Sequence, residues 1–249
     1  MILKAQVQTF HKKIYKKSRA SLPFLFTFAN AGLGFLSIIQ ALEKNYTAAI
    51  YCLLGAGLMD LLDGRVARAL NATSALGAEL DSLADAISFC LAPCILLYAW
   101  YSDTIGYLGI FALVLYLLAG IFRLAKFNIT HQQQSLHFIG LPTPVAALCV
   151  TSLILYNTWI AHQETQFLLY KKTPFILIIS LAFLMISSIP FPNIKKQSLH
   201  TVLLGVLGII GAWLIITALA NKHFPLPLIL VSIYIIVGII RWLVSIKNS

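Results

Sequence analysis

Charge is what this chain has least of. Only 10% of its 249 residues are Asp, Glu, Lys or Arg and 59% are hydrophobic, whereas soluble domains carry roughly 25% charged residues. That excludes an ordinary water-soluble domain. Cysteine is also sparse: Cys52, Cys90, Cys94 and Cys149 all lie in apolar runs, which excludes a disulfide framework and fits small buried side chains. No His or Cys cluster has zinc-ligand spacing. No internal repeat or low-complexity segment is visible.

What fills the chain is a series of apolar runs, each near or above the roughly 20 residues that cross a bilayer as a helix. The pattern predicts an all-α, polytopic integral membrane bundle of about eight transmembrane helices. The expected spans are about 23–42, 46 into an acidic stretch, 80–100, 105–121, 144–160, 174–189, 202–220 and 225–244. Residues 1–20 form a basic amphipathic segment, 21–160 carry the site, and 161–249 add further helices of the same membrane domain. No cleavable leader pattern is present, so the N-terminus is expected to be retained.

The net charge of +10 raises the question of nucleic acid, and position answers it. Lys4, Lys12, Lys13, Lys16, Lys17 and Arg19 precede the first span, where basic residues mark the cytoplasmic side and meet anionic lipid headgroups. Ile2, Leu3, Val7, Phe10, Ile14 and Tyr15 supply the apolar face of an interfacial helix. Of the 18 basic residues, only Lys44, Lys171, Lys172 and Lys222 fall on the far side of this topology. Both chain ends are therefore expected in the cytoplasm, with membrane lipids rather than nucleic acid as partners.

The eight acidic residues are not scattered. Asp60, Asp63, Glu79, Asp81 and Asp85 sit together in DLLDGRVARALNATSALGAELDSLAD. Asp60 and Asp63 are three apart, Asp81 and Asp85 four apart, so each pair shares a helix face. Gly64, the Asn71-Ala-Thr-Ser run and Gly77 suit a turn or loosened helix end between them. A helical hairpin opening on the cytoplasmic side would gather four carboxylates, whose repulsion calls for cations. Oxygen-only ligands select hard ions, Mg2+ or Mn2+. Helix capping accounts for one or two acids but not four at this spacing. Two ions in such a cage suit transfer at phosphorus. Arg68 offers a bidentate grip on phosphate, and Gly64 and Ala67 leave room for a base or phosphate.

Asp60-x2-Asp63-Gly64-x2-Ala67-Arg68-x8-Gly77-x3-Asp81-x3-Asp85 resembles the complete signature of the CDP-alcohol phosphatidyltransferases. The resemblance implies a membrane enzyme of the cell (inner) membrane, with its site facing the cytoplasm, that moves a phosphatidyl group from a CDP-lipid to an alcohol and releases CMP. It implies that Asp60, Asp63, Asp81 and Asp85 hold two metal ions and that Asp85 is also the catalytic base. It implies a CDP site lined by Asp60, Gly64, Ala67, Arg68, Gly77 and Asp81, and a homodimer.

Leu76-Gly-Ala-Glu-Leu-Asp-Ser-Leu-Ala-Asp, Ser88-Phe-Cys-Leu-Ala-Pro93, Phe122-Arg-Leu-Ala-Lys-Phe-Asn128 and Phe138-Ile-Gly-Leu-Pro-Thr-Pro144 resemble the phosphatidylserine synthase branch. This implies CDP-diacylglycerol and L-serine as substrates. The likeness spans about 20–150 and gives way to mere hydrophobicity in the last hundred residues. It departs at Phe24, where the branch usually carries Asn. Serine needs a cation for its carboxylate, and Arg123, then Lys126 and Asn128, are the acceptor-binding candidates; snorkelling at the interface is the plain alternative. Glycerol 3-phosphate, inositol phosphate or choline as acceptor, or a cation transporter, are the competing readings. Against transport, the acids sit on one hairpin rather than along a path.

Overall fold

The computed structural model describes residues 23–70, 74–102, 105–131, 138–161 and 173–191. These form six helices: α1 (Pro23–Leu42), α2 (Tyr46–Ala69), α3 (Ala75–Trp100), α4 (Gly106–His131), α5 (Thr143–Ala161) and α6 (Thr173–Ile186). The only other regular element among the described residues is a two-residue antiparallel ladder, β1 (Phe138–Ile139) with β2 (Pro190–Phe191). The helices α1 to α4 are long and apolar enough to cross a membrane, which makes this an integral membrane protein. The expected segment 1–20, both chain ends and the spans at 202–220 and 225–244 lie outside the described residues.

The local signals explain most boundaries. Lys44, at φ 60°, turns the chain between α1 and α2, and the Asn45 side chain caps α2 by accepting from the Ala48 amide. Ser74 caps α3 in the same way, accepting from the Gly77 amide at 3.0 Å. One expectation shifts. Gly64 does not loosen α2, which stays helical through Ala69, because one glycine inside a packed helix costs only about 1 kcal/mol. The polar segment after Ile121 is helical, as its residues lead one to expect, and continues the fourth span as one helix to His131.

The α2–α3 pair is the antiparallel hairpin the acidic spacing predicts. At its far end Tyr46 and Trp100 meet edge to face, centroids 4.7 Å apart, and the Tyr46 hydroxyl donates to the Ala99 carbonyl at 3.0 Å. The carboxylates lie toward the other end. Packed against α2, α4 and α5, α3 is the central helix. Tyr116, Leu96, Leu97, Ile154, Ile178 and Leu181 are fully buried around it. Because lipid is as apolar as these side chains, close packing and hydrogen bonds hold such helices together rather than escape from water.

Within α3, residues Ala86–Leu91 form one π turn, in which the Ala92 amide reaches back to the Ile87 carbonyl. Proline explains its position. Pro93 has no amide to give the carbonyl four residues earlier, that of Phe89, and the buried Tyr116 hydroxyl donates to that carbonyl at 3.1 Å instead. Asp85 immediately precedes the widened turn, and such turns often accompany functional sites.

The Gly140-Leu-Pro-Thr-Pro segment docks on the end of α6. Gly140 donates to the Ile189 carbonyl at 2.9 Å and Leu141 to the Leu184 carbonyl at 3.0 Å. Gly140 has φ +85°, and a Cβ there would collide with the Met185 carbonyl, so only glycine fits.

Candidate active site

On α2, Asp60, Gly64, Ala67 and Arg68 fall at i, i+4, i+7 and i+8, one continuous helix face. Facing them on α3, Asp81 and Asp85 are one turn apart. One carboxylate oxygen each from Asp60, Asp81 and Asp85 lies within 4.8 Å of the others. Like charges so close repel by on the order of 3–4 kcal/mol per pair at an effective dielectric near 20. An arrangement of oxygen donors, all anionic and with no nitrogen or sulfur, fits a hard divalent cation such as Mg2+ or Mn2+. Asp60, Asp81 and Asp85 are the residues that would hold it.

Asp63 is set apart. It is 6% exposed and accepts the hydroxyl of Thr27 on α1. The same hydroxyl lies 3.3 Å from the Pro23 carbonyl, but it has one proton, and the carboxylate is the stronger acceptor. Of the four carboxylates expected to meet, three form the close group and Asp63 is held beside it.

Asp85 is 9% exposed, and its Oδ1 accepts from Nδ2 of Asn30 at 3.2 Å. Asn30 is fully buried. Its own main-chain carbonyl accepts from Ser88 Oγ at 2.9 Å, and Gly34, one turn along α1, leaves the space that Ser88 occupies. Thus α1 is fastened to α3 at Asp85 and again about one turn on, at Ser88.

The residues expected to line a nucleotide site are on the same end. Arg68 is exposed and its guanidinium lies over Gly64, with Nη1 3.5 Å from where a Cβ would be. Ala67 is half-buried. Gly77 sits in the first turn of α3 beside Ser74 and the ring edge of Phe24, which would lie 3.6 Å from a Cβ at Gly77.

The three acceptor candidates differ in setting. Arg123 is 7% exposed, and its Nη1 donates to Thr143 Oγ1 at 3.4 Å. One turn earlier Gly120 packs on Cys90, and Cys90 is within electrostatic reach of both Asp85 and Arg123. Lys126 is exposed. Asn128 bridges α4 to α3: its Oδ1 accepts from Ser82 at 2.9 Å and its Nδ2 donates to Glu79 at 3.1 Å. Thr27, Asn30, Ser82 and Thr143 are not among the site residues expected from the sequence, where Asn30 counts only as a position for close helix packing. Thr27 and Asn30 did leave a signal, two polar residues three apart in an apolar run.

A family model described as CDP-alcohol phosphatidyltransferase matches residues 20–246. A Helicobacter pylori protein named CDP-diacylglycerol--serine O-phosphatidyltransferase is 34% identical over 230 residues, 89% of this chain and 90% of its own. A Bacillus subtilis protein of the same name is 38% identical over 132 residues, 53% of this chain and 74% of its own. An archaetidylserine synthase of Methanothermobacter thermautotrophicus is 40% identical over 137 residues, 54% of this chain and 58% of its own. The expectation that likeness ends near residue 150 is corrected by the first two of these matches, which run through most of the chain. Apolar stretches keep hydrophobicity while exchanging one apolar residue for another, so distant similarity there is hard to see by motif.

Proposed function

This chain belongs to the CDP-alcohol phosphatidyltransferase family, and from that premise we propose that it transfers the phosphatidyl group of CDP-diacylglycerol to L-serine. The serine hydroxyl oxygen bonds to the lipid-linked phosphorus, the bond from that phosphorus to the bridging oxygen breaks, and CMP leaves with the electron pair. The observation that carries this is the meeting of Asp60, Asp81 and Asp85 at one end of the α2–α3 hairpin. The serine acceptor is supported by the names of the relatives and by a buried guanidinium, Arg123, in the same neighbourhood.

The residues divide the work. Asp85, held by Asn30, takes the hydroxyl proton. Asp60, Asp63, Asp81 and Asp85 are the metal-binding set, and Mg2+ or Mn2+ bound there, two ions in this reading, would neutralise the diphosphate and the leaving phosphate. Arg68 grips phosphate oxygens, while Gly64, Ala67 and Gly77 leave space for the cytidine. Arg123, oriented by Thr143, pairs with the serine carboxylate, with Lys126 adding positive charge at the mouth and Asn128 setting the spacing of α3 and α4. Arg65, Arg68, Arg123 and Lys126 crowd this end of the bundle, which supports a cytoplasm-facing site in the cell membrane. Eight spans, both chain ends inside and a homodimer complete the reading.

The test is CMP release by detergent-purified protein given CDP-diacylglycerol and Mn2+ or Mg2+, with serine, glycerol 3-phosphate, inositol phosphate and choline offered separately. Metal-dependent release with serine is expected. Release with another alcohol alone would replace the acceptor, and no release with any would remove the enzymatic reading.

A further inference from the structure

We propose that Asn30 is a positioning residue for Asp85, fixing the rotation of its carboxylate toward the metal and the acceptor; this rests on Asp85 acting as proposed above. The Nδ2–Oδ1 bond at 3.2 Å joins residues 55 apart in sequence and pins the Asp85 carboxylate to α1 by one oxygen, which fixes its rotation. The Asn30 side chain is fully buried, and its Oδ1 has no hydrogen-bond partner among the described residues. A buried amide kept with one atom unsatisfied costs folding energy. An apolar residue of similar size would serve packing better, so the amide's value lies in its hold on Asp85. The α1–α3 contact does not depend on that side chain. Ser88 grips the main-chain carbonyl of Asn30, and Gly34 admits Ser88.

Asn30→Leu separates the two roles, because it removes the donor and the unsatisfied oxygen together while keeping bulk. With Mn2+ absent, purified N30L should melt at or above the wild-type temperature. The Mn2+ concentration giving half of the Mn2+-induced rise in Tm, measured without any alcohol, should increase about 10–100-fold, as for other partners of metal ligands. In turnover with the acceptor that wild type uses, kcat should fall by a similar factor while KM for CDP-diacylglycerol stays within about twofold, the mark of an interaction made in the transition state. Asn30→Asp, which swaps the donor for an acceptor in the same shape, should show the same loss and serves if N30L does not fold. Wild-type kcat and Mn2+ midpoint in either folded variant would overturn the proposal, as would a lower metal-free Tm with an unmoved Mn2+ midpoint. Wild type that ignores serine but responds to Mn2+ would sink the serine reading and leave this one standing. Wild type with no Mn2+ response would sink the metal reading and this inference with it.

Discussion

Asp85→Asn keeps size and shape but removes the charge that takes a proton. CMP release should drop by about 10²–10⁴, the usual worth of a placed general base, with cytidine-nucleotide binding and metal-free Tm retained; full turnover in that variant would move the base elsewhere. A second prediction concerns Asp63. Thr27→Val swaps a hydroxyl for a methyl of equal volume and takes a donor from a buried carboxylate. The loss should be about 1.5–3 kcal/mol, as for hydrogen bonds to charged groups, read as a lower Tm in detergent. At this scale the spacing of the aspartates was legible, because period alone puts them on helix faces. Their division was not. Residues three apart are about 60° apart around a helix, enough for Asp60 to look at α3 while Asp63 looks at α1, and nothing local says which neighbour is there.

Among the helices, α3 begins at Ala75, ahead of the expected start near residue 80, because Ser74 caps it there. The start of α1, the α2–α3 hairpin and the end of α3 followed from the apolar runs. The π turn did not, since it depends on Tyr116 reaching the carbonyl that Pro93 leaves over, a contact between residues 27 apart. Tyr116→Phe should therefore destabilise by about 1–3 kcal/mol, the cost of a buried carbonyl with no donor, and should be visible in thermal unfolding of the purified protein. A Tyr116→Phe protein as stable as wild type would mean that another group supplies that carbonyl. Asn128 is a parallel case: its amide is legible as a polar residue near the site, but its bonds to Ser82 and Glu79 make it a tie between helices.

Across the molecule, a cation held by Asp60 on α2 and by Asp81 and Asp85 on α3 would join two helices, so chelation should do more than stop turnover. At an ion concentration 100 times Kd the folded state gains about 2.7 kcal/mol, and EDTA should lower Tm accordingly while restored Mn2+ recovers it. Gly140→Ala should weaken the bundle without touching the site, by forcing the 138–141 segment off α6; its Tm should fall while its metal requirement stays put. The bundle as a class was plain in the hydropathy, but the docking of Gly140 was not, because a glycine's φ is invisible in a list of residues. The widened turn at Ala86–Leu91 also governs how this protein tolerates changes in length. A π turn is one residue more than an α-helix needs, so deleting a single residue there lets α3 close into regular helix with its two halves still in register. Deleting a residue from a regular turn of α3 would instead rotate the carboxylate-bearing half by about 100° against the half anchored at Trp100, turning Asp81 and Asp85 away from Asp60.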